Sequence, residues 1–218
     1  MQRTSDVLDN VRRALGRTKP LETPPVPPVI DEPVTRLVHS DFGLPELFAK
    51  TAAGNKIYVE MVYVDELGAK LAEFLRGKGA SRVALSDGGL LEKLGVRAAL
   101  QAAGLEATPW SEMTLDALYD YDAGVTDAYA AVAETGSLVM RGSGEHARSL
   151  SLIPNVHVCI LEPKNFVPDL VDLFDKLTRE GTGSGVVIIS GPSKTADIEM
   201  NLVTGVHGPG TVKAFILQ

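Results

Sequence analysis

The segment Ser190-Gly191-Pro192-Ser193-Lys194-Thr195-Ala196-Asp197-Ile198-Glu199 gathers hydroxyls, an ammonium and two carboxylates between an apolar run and an amphipathic one. In open α/β sheets ligands bind where strands end and helices begin, and the backbone N–H groups of such a turn hold anions. Gly191, Ser193, Lys194 and Thr195 would then bind the charged end of a substrate, with Asp197 as a catalytic carboxylate. The spacing is not the GxxxxGK[ST] of a triphosphate loop. Asp197 and Glu199, in the first turn of the expected helix, complement its dipole and repel a bound anion unless one is protonated or does chemistry. Ser and Thr at this point also serve as ordinary helix N-caps. Cap and ligand site are both open readings.

A second acidic corner lies at Ala133-Glu134-Thr135-Gly136-Ser137. Gly136 permits a turn with positive φ that brings backbone close to a ligand or an opposing strand. Glu134 is a candidate general base or nucleophile, with Thr135, Gly136 and Ser137 as substrate-binding neighbours; the plain alternative is a solvated turn glutamate. Of the histidines His39, His146, His157 and His207, none has HExxH spacing or a nearby cysteine pair, so no metal site is expected. His157 alternates with Val156 and Val158 and reads as a packed strand residue. His207, on the Val206-His207-Gly208-Pro209-Gly210 turn, is the third catalytic candidate, against a turn histidine without function. Arg141 to Arg148 suits a flap over a polar substrate or a plain exposed loop. Gly181 to Gly185 precedes a strand instead of following one, so it is no dinucleotide loop, and no cofactor is assigned to this chain.

The elements that must position these residues are legible in the hydrophobic periodicity. Helices are expected over Ser5–Leu15 with Ser5 as N-cap, Leu44–Ala53, Asp65–Arg76, Leu90–Ala103, Leu170–Leu177 and Ala196–Val203. Strands are expected over Lys56–Val62, Arg82–Ser86, Leu105–Trp110, Ala123–Ala133, Ser137–Met140, Val156–Leu161, Gly185–Ser190 and Val212–Leu217, with Val156–Leu161 and Gly185–Ser190 buried. Short apolar runs separated by helices predict an α/β domain with a largely parallel sheet covered on both faces. The expected organisation is an amphipathic helix in residues 1–18, a tether in 19–36 made extended by Pro20, Pro24, Pro25, Pro27, Pro28 and Pro33, and the α/β domain in 37–218. The acidic corner and the serine-lysine-threonine bend are expected to meet around one hollow at a rim of the sheet.

Composition bounds the function. The chain has 218 residues, 44% hydrophobic and 22% charged, which are globular proportions and exclude disordered, collagenous and coiled-coil classes. With 21 Lys plus Arg against 28 Asp plus Glu the net charge is -7, which argues against nucleic acid or an anionic membrane as the main partner. A single cysteine, Cys159, allows no internal disulfide and no all-cysteine cluster site, and points to a reducing cytoplasmic setting. No apolar signal or spanning segment is read in the sequence.

AETGSLVM (Ala133 to Met140), PNVHVCIL (Pro154 to Leu161) and GPSKTADIEMNLVTGVHGPG (Gly191 to Gly210), in that order, resemble the LUD domain of the lactate-utilization protein C family. The resemblance runs over most of the chain after the proline tether. It implies a Rossmann-like three-layer sandwich of the NagB/RpiA/CoA-transferase type. It further implies a part in oxidising L-lactate to pyruvate with two partners, an iron-sulfur LUD-domain protein and a cysteine-rich-repeat protein. A small carboxylate ligand follows from the same role, and the iron-sulfur clusters would sit in the partners. Kinship with sugar-phosphate isomerases and CoA transferases is analogy, in which Glu134 and Ser193 to Asp197 would be the strand-end carboxylate and the anion-holding turn. A stand-alone isomerase or acyl-transferase and a non-catalytic assembly module are the other two readings.

Overall fold

The structure is a computed structural model that describes residues 4–17, 26, 36, 38, 43–87, 89–144, 147–195, 203–205 and 207–218. By its contacts the chain divides into residues 1–35 and residues 36–218. The first unit contains helix α1, Thr4–Ala14, one residue earlier than the expected start, so Ser5 lies inside its first turn. Asp9 accepts from Arg12 at 2.7 Å one turn later, and Gly16 closes the helix at φ 68.

In the second unit, α2 (Leu44–Gly54) leads to β1 (Tyr58–Val62), α3 (Val64–Gly77) and β2 (Arg82–Leu85). The single helix expected over Leu90–Ala103 is two: α4 (Gly89–Lys93) and α5 (Val96–Ala102), because Gly95 takes φ 61 and turns the chain between them. Then follow β3 (Glu106–Pro109), β4 (Ala123–Asp127), β5 (Ala130–Val132), β6 (Ser137–Arg141), β7 (Val156–Leu161) and β8 (Phe166–Val167). Helix α6 (Leu170–Glu180), β9 (Val186–Ile189), β10 (Lys194–Thr195), β11 (Val203–Thr204) and β12 (Thr211–Leu217) complete the chain.

Six strands form one parallel sheet in the order β1-β12-β7-β4-β2-β3. A central parallel strand is covered on both faces, which is why β7 (VHVCIL) is buried at every position, whereas edge strand β1 (YVEMV) is mostly half-exposed. One face packs on α3, α4 and α5 through Leu67, Leu71, Leu75, Leu91, Val96 and Leu100. The other packs on α2 (Leu44, Phe48, Ala52) and on a second sheet of four strands, ordered β8-β5-β6-β9. Leu173 and Leu177 of α6 cover the far side of that sheet. The parallel sheet covered on both faces is the one that the periodicity predicts, and the three-layer α/β sandwich is the one that the resemblance implies, extended by the smaller sheet.

Two strand expectations change. Ala123–Ala133 is not one strand: β4 belongs to the parallel sheet and β5 to the smaller one, with Ala128 and Tyr129 carrying the chain across. Gly185–Ser190 is not a buried strand. Its core, β9, is at the edge of the smaller sheet, paired among the described residues with β6 alone, and Ile188 is 41% exposed. Among the described residues no helix is long and apolar enough to cross a membrane.

Candidate functional site

The β5–β6 turn is fixed by its backbone before any side chain is considered. Ala133 N and Glu134 N donate to Val167 O and Pro168 O, each at 2.9 Å. From the end of α2, Thr51 Oγ1 donates to Ala133 O and Asn55 Nδ2 to Thr135 O, each at 2.7 Å. Gly136 has φ 63, and a Cβ there would run into the backbone N of Ala52. Positive φ and close approach together explain the glycine. The carboxylate of Glu134, half-buried, makes no hydrogen bond or ion pair among the described residues.

From this turn a chain of hydroxyls runs to the next segment: Thr135 Oγ1 and Ser137 Oγ share a hydrogen bond of 2.8 Å, and Ser137 Oγ and Ser190 Oγ one of 2.6 Å. Gly191, at φ 115, packs against the carbonyl of Asn55, where a Cβ would collide. Asn55 thus braces both segments, bringing Thr135, Gly136, Ser137 and Gly191 together. That much of the expected meeting of corner and bend is present.

The rest of the bend is built differently from the expectation. Lys194 and Thr195 pair with Thr204 and Val203 as a two-stranded antiparallel ribbon. Ser193 N donates to Pro209 O and Gly205 N to Ser193 O, each at 2.9 Å, which seats Ser193 on the turn that carries His207. His207 is exposed and Lys194 is exposed. Asp197 and the expected helix lie outside the described residues, except that Val203, its last residue, is in β11.

The location also departs from the strand-end rule. Asn55 precedes β1 and Pro209 precedes β12, so the candidate residues gather where the parallel strands begin. Ligands in such sheets bind where the strands finish, at the point where strand order reverses. Here β2 leads outward to β3 and the chain returns across it to β4, so that point lies between the ends of β2 and β4. It presents Ser86, whose Oγ donates to Asp127 Oδ1 at 3.4 Å, and Asp87, which accepts from Ser111 N and Oγ, each at 2.8 Å. The sequence signal for it was Ser86-Asp87-Gly88-Gly89 between a strand and a helix, and an aspartate closing the apolar run of β4.

His157 is a packed histidine, as its alternation suggests. It is fully buried, its Nε2 lies 2.9 Å from Thr126 Oγ1, its Nδ1 has no partner, and burial lowers its pKa to about 4. Cys159 is also buried, and burial pushes its thiol up, which makes it a core residue instead of a nucleophile. Among the described residues no cluster of three or more His, Cys, Asp or Glu is arranged to hold a metal ion.

Comparison with known proteins places the chain. A profile of the LUD domain family matches residues 46–217. The chain is similar to Lactate utilization protein C of Halalkalibacterium halodurans, at 28% identity over 218 residues that cover 96% of this chain and 95% of that one. It is similar to Uncharacterized protein YkgG of Escherichia coli, at 31% identity across 100% of this chain and 98% of that one. Among solved structures it resembles a DUF162 family protein from Deinococcus radiodurans, with a TM-score of 0.61 and 21% identity over 83% of this chain and 99% of that one. The last likeness supports the fold alone.

Proposed function

The chain belongs to the LUD domain family, and from that premise we propose that it serves in lactate utilization, as the subunit of a cytoplasmic system that oxidises L-lactate to pyruvate. The observation that carries the reading is the end-to-end likeness to Lactate utilization protein C, which leaves no large part of either chain unmatched. Oxidising lactate at C2 releases two electrons and two protons. The one thiol of this chain, Cys159, is an inert core residue. The reading therefore assigns the electrons to iron-sulfur clusters in a partner LUD-domain protein, with a cysteine-rich-repeat protein as the third member.

Glu134 is the proton acceptor we assign to this chain. Its supports are an uncommitted carboxylate, a turn held by four hydrogen bonds, and the adjoining hydroxyls of Thr135 and Ser137. Gly191, Ser193, Lys194 and Thr195 are assigned to the carboxylate end of the substrate, and Asp197 and His207 to proton transfer as further catalytic groups. The test is lactate-dependent reduction of an electron acceptor by the mixture of this chain with its two proposed partners. The expected result is turnover in the mixture, little with any member alone, and a loss of about 100-fold or more with Glu134→Gln at unchanged fold. Full turnover by the isolated chain would replace the assembly reading. The same uncommitted carboxylate favours, as the second reading, a stand-alone isomerase or acyl-transferase, in which Glu134→Gln abolishes activity without any partner.

A further inference from the structure

Between β3 and β4 the chain runs through two short 3-10 turns, Trp110–Glu112 and Ala117–Asp120, and commits only part of its apolar content to the core. Leu118 is fully buried beside Ala84, Tyr121 and Leu150, and Trp110 and Met113 pack on that cluster while half-buried. Leu115, between the two turns, is 50% exposed. Together with Trp110, Leu152 and Ile153 it lines an open concavity of about 650 Å³, in which Leu152 is also 42% exposed. Exposed leucines gathered beside a tryptophan in one hollow mark a surface that another molecule covers.

Two charges accompany the apolar side chains. Arg148 lines the same concavity, and among the described residues its guanidinium has no hydrogen bond and no ion pair. Its placement is nevertheless specific. A Cβ on Gly185 would stand 2.6 Å from Arg148 Nη1, and one on Gly142 3.2 Å from its Cγ and Cδ. The glycine at 185, in a run with no role as a nucleotide loop, thus makes room for the arginine. Asp116 follows Leu115 and opens the second turn, yet its carboxylate does not cap that turn and makes no hydrogen bond or ion pair among the described residues. Glu112, in the first turn, is already held by Arg97 at 2.7 and 2.8 Å.

A patch with one sign of charge calls for a partner of the other sign. This one carries an unpaired cation and, beside Leu115, an unpaired anion, so that a half-turn rotation can lay each charge on its opposite. We propose that the patch docks on a second copy of this chain in a two-fold dimer. Arg148 of each copy meets Asp116 of the other, and Leu115, Leu152 and Trp110 form the dry centre. Trp and Arg are the residue types that carry most binding energy at such centres, and a guanidinium already seated against backbone loses little freedom on pairing. The dimer goes beyond the lactate reading and does not depend on it.

The experiment is sedimentation velocity of the full chain over a wide range of concentration, with the fluorescence of Trp110, the single tryptophan, read alongside. A dimer is expected, with Trp110 emission moving to shorter wavelength as it forms. Leu115→Asp should weaken association by about 100-fold or more, because two-fold symmetry counts each change twice. Arg148→Glu and Asp116→Arg should each weaken it by roughly 10- to 100-fold. The two in one chain restore the crossed pair with its signs reversed and should return association to within about 3-fold of the natural chain. All three side chains are exposed, so the fold is expected to stand, which far-ultraviolet circular dichroism checks. Lys50→Glu, exposed on α2, is the charge control and should leave association unchanged. A chain that is monomeric at every concentration, a dimer that ignores Leu115→Asp, or a double charge exchange no better than the single ones overturns the proposal. So does a monomer whose retention by the proposed iron-sulfur or cysteine-rich partner is lost with Leu115→Asp, since the patch then belongs to that partner.

Discussion

His157 and Glu134 show what a single residue type discloses in sequence and what it does not. The alternation Val156-His157-Val158 identifies a strand histidine, and burial finishes the argument by keeping it neutral. Its folded pKa of about 4 lies below the ordinary 6.5, so the native state binds fewer protons than the unfolded chain. Stability is therefore whole above pH 6.5 and is lost as the pH falls toward about 4, by on the order of 3 kcal/mol for a fully buried group. Urea midpoints measured from pH 7 to pH 4 should fall steeply in the natural chain and much less in His157→Gln. Both chains keep the milder acid sensitivity of Glu60, which Lys213 holds below the usual carboxylate range, and of Asp122, held down by the Arg82 and Ser81 backbone N–H groups. Equal slopes in the two proteins would show that His157 is reached by water. For Glu134 the sequence supplied the turn and the glycine but not Thr51 and Asn55, which fix the turn from more than 75 positions away, at separations of 82 and 80.

Elements were legible where their pattern is local. The apolar spacing of α3 and the continuous runs of β7 and β12 reproduce their burial closely. Gly95 was not read as a break, because one glycine in a helical pattern is tolerated until its φ is known. The smaller sheet was not foreseen because its pairings are non-local: β6 finds β9 some 50 positions on, as in Met140 with Val187. Helix contacts carry their own test. Gly68 of α3 faces Ala99 of α5, where a Cβ at 68 would sit 2.7 Å from the Ala99 Cβ. Gly68→Ala gains helix propensity of about 1 kcal/mol but forces the two helices apart, and overpacking of this kind costs about 1–3 kcal/mol. Net destabilisation is expected, measured by urea unfolding. Ala99→Gly in the same chain should relieve the clash, giving a coupling energy in the double-mutant cycle that two independent sites would lack.

At the scale of the whole molecule, the buried clusters of the second unit draw on residues 44 to 217, and Arg36 is tied to that unit through Asp172 at 2.7 Å and Asp169 at 3.3 Å. Helix α1 has 11 residues, too few to be firmly helical alone, and Val7, Leu8, Val11 and Leu15 are each about half exposed, at 49%, 52%, 50% and 60%. An apolar stripe left open on a short helix is consistent with a role in association. A chain beginning at Arg36 should therefore melt within about 2 °C of the full chain, since about 1 kcal/mol corresponds to about 2–4 °C in a domain of this size. The same chain should be retained less well by the proposed iron-sulfur and cysteine-rich partners and give lower lactate-dependent turnover in the mixture. A drop in melting temperature of more than about 5 °C would place α1 against the body of its own chain. Unchanged stability with unchanged assembly would leave the helix without either duty.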